Sequence, residues 1–152
     1  MEASSHGLEQ KRLDHLKINT GIFTNLSHDH LDYHKNMQSY LDCKMYLFKH
    51  LLSNNSKIIT DEDNREFKII KGIANRRKIR KITIGSNSGN IKILDNKYRQ
   101  DKQIVKVSIN SKIFEFKISL IGDFQIKNLF MAVLAALNSG INQNKIFKQI
   151  HK

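Results

Sequence analysis

Proline and tryptophan are absent from this 152-residue sequence, and cysteine occurs once, at Cys43. A single thiol excludes an internal disulfide and suits a reducing cytoplasm. No apolar run approaches the roughly 20 residues of a membrane span; the longest, Leu129 to Leu137, is about half that. The opening residues, MEASSH, carry neither the basic region nor the apolar stretch expected of a secretory signal. Acids are scarce too, 14 against 26 Lys and Arg, for a net charge of +12. Lysine supplies 20 of those 26 and is spread along a chain rich in Ile and Asn, a compositional background more than a patch. The one tight basic run (Arg76, Arg77, Lys78, Arg80, Lys81) has no interleaved aromatics on which bases could stack. The charge therefore does not argue for nucleic acid or membrane insertion, but it would welcome an anionic, phosphate-bearing substrate.

What is present fits one domain able to bury a core. Residues 1–28 read as strand, loop, strand, with GIFTNLS (Gly21–Ser27) a β-rich run entering a polar loop. Asp29 stands where a helix N-cap is expected. Met37, Tyr40, Leu41, Lys44, Leu47, Phe48 and Leu51 then recur at spacings of three and four, predicting an amphipathic helix that ends at the turn SNNS. KIITDED (Lys57–Asp63) predicts a strand, FKIIKGIANR a helix, and KIRKITIG a strand closed by the turn GSNSGN. Residues 91–121 alternate apolar and polar, as antiparallel strands with one wet face do. FQIKNLFMAVLAALNSG predicts an apolar helix closed at Gly140, and NQNKIFKQIHK a short one with an Asn cap. Strands alternating with helices imply an α/β fold, a mostly parallel sheet flanked by helices with a small antiparallel meander. Ligands of such sheets sit at the carboxyl ends of strands, and Glu2–Ser5 and Asn25–His30 are both expected there.

The polar residues are densest at the start. MEASSHGLEQKR and NLSHDHLDYH hold four of the seven histidines. Glu2, beside Ser4 and Ser5, offers a hard oxygen suited to Mg²⁺ or to orienting water, or is simply solvated. His28, His30 and His34, with Asp29 and Asp32, suggest zinc, but H-E-x-x-H is absent and one histidine near Mg²⁺ or phosphate is the simpler reading. Lys44 shares a stripe with Tyr40, Leu47 and Phe48. Either its stem snorkels along an apolar face, or a buried amine takes up CO₂ as a carbamate and becomes a carboxylate-like metal ligand. No G-x-x-x-x-G-K-[ST] phosphate cradle occurs among the seven glycines.

MEASSHGLEQKR, FTNLSHDHLDYH, YLDCK and GDFQIKNLFMAVLAAL, in this order and spacing, resemble the central domain of the Mur ligases. The likeness is nearest to the branch that joins a diamino acid to UDP-MurNAc-L-Ala-D-Glu in peptidoglycan synthesis. It covers essentially the whole chain and implies a P-loop-type α/β domain truncated at its N-terminal side. It also implies ATP and Mg²⁺ as cofactors and an acyl-phosphate route to the amide. By position, it places Glu2 on a Mg²⁺ ligand, and Ser4, Gln10 and Arg12 on contacts to the UDP-muramoyl-dipeptide. His30 falls near a second Mg²⁺, Lys44 on a carbamylated lysine, and Asn128 on the adenine side of ATP. Three positions depart from the family pattern: Gln125 replaces the first Asn of FN-x-x-N, Thr60 the Asn of N-x-DD, and His28 an Arg. The family's P-loop, uridine-binding domain and C-terminal domain have no counterpart in residues 1–152. The expectation is a partial central domain, a fragment or one part of a split ligase, inactive alone. The alternatives are a related ATP-dependent ligase of folylpolyglutamate or cyanophycin type, or a non-catalytic remnant.

Overall fold

The computed structural model describes residues 1–26, 34, 36–99 and 101–150. The chain divides into two compact units, Met1–Ile58 with Arg65–Lys81, and Ile59–Asn64 with Ile82–Lys152. Six strands form one sheet in sequential order: β1 (Ile18–Phe23), β2 (Leu52–Asp61), β3 (Arg80–Gly85), β4 (Ile91–Arg99), β5 (Lys102–Ile109) and β6 (Lys112–Ile118). β3 pairs parallel with β4, while β4–β5 and β5–β6 are antiparallel. The sheet is thus mixed, and the meander lies where the period-two runs put it.

The first unit opens on a helix, not on a strand. Ser4 caps α1 (Ser5–Glu9), its Oγ accepting from the Gly7 N–H at 3.1 Å. A serine at this position satisfies one of the orphan amides of a first turn, which decides SHGLE for helix. β1 then begins at Ile18, earlier than the expected Gly21. Gly21 has a packing reason: a Cβ there would lie 2.9 Å from Cε1 of Phe48.

α2 (Met37–Tyr46) starts later than the sequence suggests, because Asn36 is its cap, with Oδ1 accepting from the Ser39 N–H at 2.9 Å. Asp29 lies outside the described residues. The expected SNNS turn is not formed. The helix widens into a π-helical turn at Leu47–Leu51, and β2 starts directly at Leu52. Arg77, at the end of α3 (Phe67–Arg77), donates to the Phe48 carbonyl at 2.9 Å and the Leu52 carbonyl at 2.6 Å. These charge-assisted bonds satisfy carbonyls freed at the helix-to-strand change, so no turn is needed. Leu8, Phe23, Met45, Phe48, Ile70 and Ile73 fill this unit's core.

In the second unit the alternation is literal. Val105, Val107 and Ile109 of β5 and Phe116 and Ile118 of β6 face inward. Asn110 and Ser111, at φ of 49° and 64°, form the two-residue turn between them, a geometry whose left-handed backbone matches the strand twist. α4 (Asp123–Asn138) lays Ile126, Phe130, Met131, Val133 and Leu134 on that face, with the Phe130 ring 5.9 Å from Phe116. Gly140, at φ 85°, follows the helix end as expected, and Asn142 caps α5 (Gln143–Ile150) through its Oδ1.

Candidate functional site

Each unit carries part of the expected site. In the first, Glu2, Ser4, Gln10 and Arg12 bracket α1 and are all exposed. The Ser4 hydroxyl is committed to the cap, and Gln10 occupies the C-terminal cap position, its N–H reaching the carbonyls of His6 and Leu8. Among the described residues, Glu2, Gln10 and Arg12 have no side-chain hydrogen bond or ion pair. The three side chains are thus exposed and, among the described residues, uncommitted.

Lys44 is half-buried on α2, with Nζ 5.0 Å from the centre of the Tyr40 ring. Tyr40 is itself buried, and His34 stacks on it at 5.0 Å. The stem is therefore packed, and the ammonium sits over a π face that favours a cation. Carbamylation would exchange that attraction for an anion able to bind a metal. His28, Asp29, His30 and Asp32 lie outside the described residues.

In the second unit, Asn128 is half-buried on α4, and so is Gln125. Beside Asn128, Lys127 ion-pairs with Asp61 at 2.6 Å and with Asp63 at 3.6 Å. Asp61 is fully buried; its other oxygen accepts from the Asp63 N–H at 2.9 Å. Burial pushes the Lys127 pKa down, but the hydrogen bond and charge of Asp61, with those of Asp63, outweigh it and hold the ammonium above its usual value. Glu62 accepts from Thr83 Oγ1 at 2.6 Å and from the Ser88 hydroxyl, and Asp63 accepts from Ser86. All three acids of the string TDED, at the end of β2 and just beyond it, are thus engaged. Sequence reading missed Lys127. The available signal was a charged residue inside the apolar run of FQIKNLF, whose acidic partners, Asp61 and Asp63, are remote in sequence.

A sequence model of the Mur ligase middle domain matches residues 1–136. The UDP-N-acetylmuramoyl-L-alanyl-D-glutamate–2,6-diaminopimelate ligase of Rickettsia bellii (strain RML369-C) is 36% identical over 151 residues, 99% of this chain and 32% of that protein. A solved structure of a ligase with the same name has a TM-score of 0.84 at 27% identity, covering 98% of this chain and 31% of that one. MurF ligase from Thermotoga maritima, solved in complex with ADP, shares the fold at TM-score 0.72 and 16% identity, over 92% of this chain and 31% of its own. The class these likenesses define is that of the ligases. The chain belongs to the Mur ligase family and corresponds to its middle domain. It spans about a third of the length of the relatives it matches.

Proposed function

We propose that these 152 residues are the ATP- and Mg²⁺-binding middle part of a MurE-type ligase, one that joins diaminopimelate or lysine to UDP-MurNAc-L-Ala-D-Glu. The observation that carries this reading is similarity to named diaminopimelate ligases over nearly the whole chain. The exposed, uncommitted groups around α1 support it, since an anionic sugar-nucleotide peptide calls for free donors such as Arg12 and Gln10. Asn128 takes the adenine side of ATP. In the reaction, the substrate carboxylate accepts the γ-phosphoryl group, and the incoming amine then displaces phosphate from the acyl phosphate. Both steps depend on positioning and electrostatics.

The side chains fit Mg²⁺ on one condition. Glu2 supplies an exposed hard oxygen. Lys44, as an ammonium over Tyr40, repels a cation and joins the ligand set only as a carbamate, with His30 as a further ligand. Bound Mg²⁺ screens charge among the converging oxygens. Glu2 and Lys44 hold and orient, while Ser4, Gln10 and Arg12 fix the dipeptide end of the substrate.

Residues 1–152 contain no P-loop sequence, so on their own they form little or no amide. The test is diaminopimelate-dependent ADP release from ATP and UDP-MurNAc-L-Ala-D-Glu, with and without a P-loop-bearing segment supplied in trans. Activity only on addition supports the reading; robust amide formation by the 152 residues alone would overturn it. Binding of UDP-MurNAc-dipeptide in preference to folate separates this branch from the folylpolyglutamate ligases.

A further inference from the structure

A second, chemically different set of donors converges in the first unit. Glu9 ends α1, His34 precedes α2, and Cys43 lies within α2, yet one ligand atom from each comes within 4.8 Å of the other two. None of the three belongs to the Mg²⁺ and substrate set proposed above. His34 is only 3% exposed and its ring is held by stacking on Tyr40, so one donor is preorganised. Cys43 is half-buried on the facing helix, and Glu9 is exposed and free to adjust.

We propose that Glu9, His34 and Cys43 form a binding site for a thiophilic divalent cation of the zinc type. Thiolate and imidazole select zinc-like ions over Mg²⁺ and Ca²⁺, which take all-oxygen shells. Three protein ligands with water in the fourth position complete a tetrahedron. Donors around such an ion sit roughly 3.5 Å apart, given its bond lengths of about 2.0–2.3 Å. A spread of at most 4.8 Å among the three donor atoms is therefore within about 1.3 Å of that geometry. The charges balance as well: one carboxylate and one thiolate neutralise the dication, while the imidazole binds as the neutral ring. Binding converts the Cys43 thiol to a metal thiolate and releases one proton to solvent.

The same three residues could be read as a nucleophile, base and orienting acid. The surroundings of Cys43 oppose that. Burial, then the negative charges of Glu9 and Asp42, hold the thiol above its usual pKa, the reverse of an activated thiolate. A dication reverses this field and deprotonates a coordinating thiol outright. Because Glu9 lies on α1 and Cys43 on α2, the ion would also tie those helices together.

The probe is Co²⁺ added to the reduced 152-residue chain, with Zn²⁺ in competition and a thiol reagent as second readout. The expected result is one Co²⁺ per chain with a sulfur-to-metal charge-transfer band and tetrahedral d–d bands. Zn²⁺ should abolish the bands, excess Mg²⁺ should leave them, and one equivalent of Zn²⁺ should protect Cys43 from alkylation. Cys43→Ser and Cys43→Ala should lose the band and weaken Zn²⁺ at least ~10–100-fold, by comparison with changes outside the ligand shell. Glu9→Gln, at an exposed position where folding is not at stake, should weaken it at least tenfold. His34→Gln adds a third ligand test; if it does not fold, Glu9→Gln and the cysteine pair decide. Co²⁺ binding without a thiolate band, displacement by Mg²⁺, or Zn²⁺ affinity unchanged in Cys43→Ala or Glu9→Gln would each overturn the proposal. None of these readouts involves ligase activity, so the ligation reading can fail without this one.

Discussion

Two polar strings in this molecule, Met1–Arg12 and Thr60–Asp63, are built in opposite ways. Around α1, Glu2, Gln10 and Arg12 are exposed with no side-chain hydrogen bond or ion pair among the described residues, and Ser4 is engaged in capping a helix. At the end of β2, Asp61 is fully buried and paired with Lys127, Glu62 holds Thr83 and Ser88, and Asp63 holds Ser86. A string of charged residues therefore says little about its task until its partners are known. An acid in water is available to a ligand, whereas an acid that is desolvated must be paired by its own fold.

This difference predicts a steep asymmetry on mutation. Lys127→Met leaves the Asp61 charge buried without its cation and should cost about 3 kcal/mol, the lower end for breaking a buried pair, because Lys127 remains a third exposed. Asp61→Asn combined with Lys127→Met removes both charges and should recover a large part of that loss. Denaturant unfolding of the wild type, the single and the double variant measures it. A double variant no more stable than Lys127→Met would break the comparison.

The same pair carries a pH signature. The Lys127 pKa is raised in the folded chain, so its contribution is fully present below the unfolded lysine value of 10.5 and is lost as pH rises through the higher folded value. Stability of the wild type should fall more steeply in strong alkali than that of the Asp61→Asn, Lys127→Met variant. Thermal melts on either side of that range check it, and parallel curves would remove Lys127 as the source.

How much of this was legible in the sequence follows the same division. The meander and α4 were read correctly because one face of each meets water and the other meets Val105, Val107, Phe116 and Phe130, so water itself writes the period. Ser53–Asn55 misled for the complementary reason. They are exposed residues of β2, and a polar run on a wet strand looks like a turn. The π-helical turn before them is completed by Arg77, 25 positions beyond Leu52, and no local pattern shows that. The Lys127–Asp61 pair spans 66 positions and was invisible likewise. In the site, residue types around α1 and on α2 were legible from motif strings. That SHGLE is helix and that Lys44 lies over Tyr40 are matters of packing.

At the open end of the comparison, smaller effects are expected. Ser4→Ala removes the acceptor for the Gly7 N–H and should cost about 1 kcal/mol, with Ser4→Gly costing only a few tenths. Equal losses in the two variants, read by urea unfolding, would show that the hydroxyl is not acting as the cap.

Glu2→Gln should change stability least, within about 0.5 kcal/mol, because the carboxylate is exposed and has no partner among the described residues. The substitution keeps the shape and removes only the charge. If Glu2 is a Mg²⁺ ligand, the variant should therefore melt like the wild type yet require more Mg²⁺ for ligation in the assay with a P-loop-bearing segment supplied in trans. Excess Mg²⁺ should restore the rate, since a weakened site can still be filled. An unchanged Mg²⁺ requirement would assign Glu2 to the solvated surface, and a large loss of stability would mean that the N-terminal string is not the uncommitted rim that its contrast with Asp61 makes it.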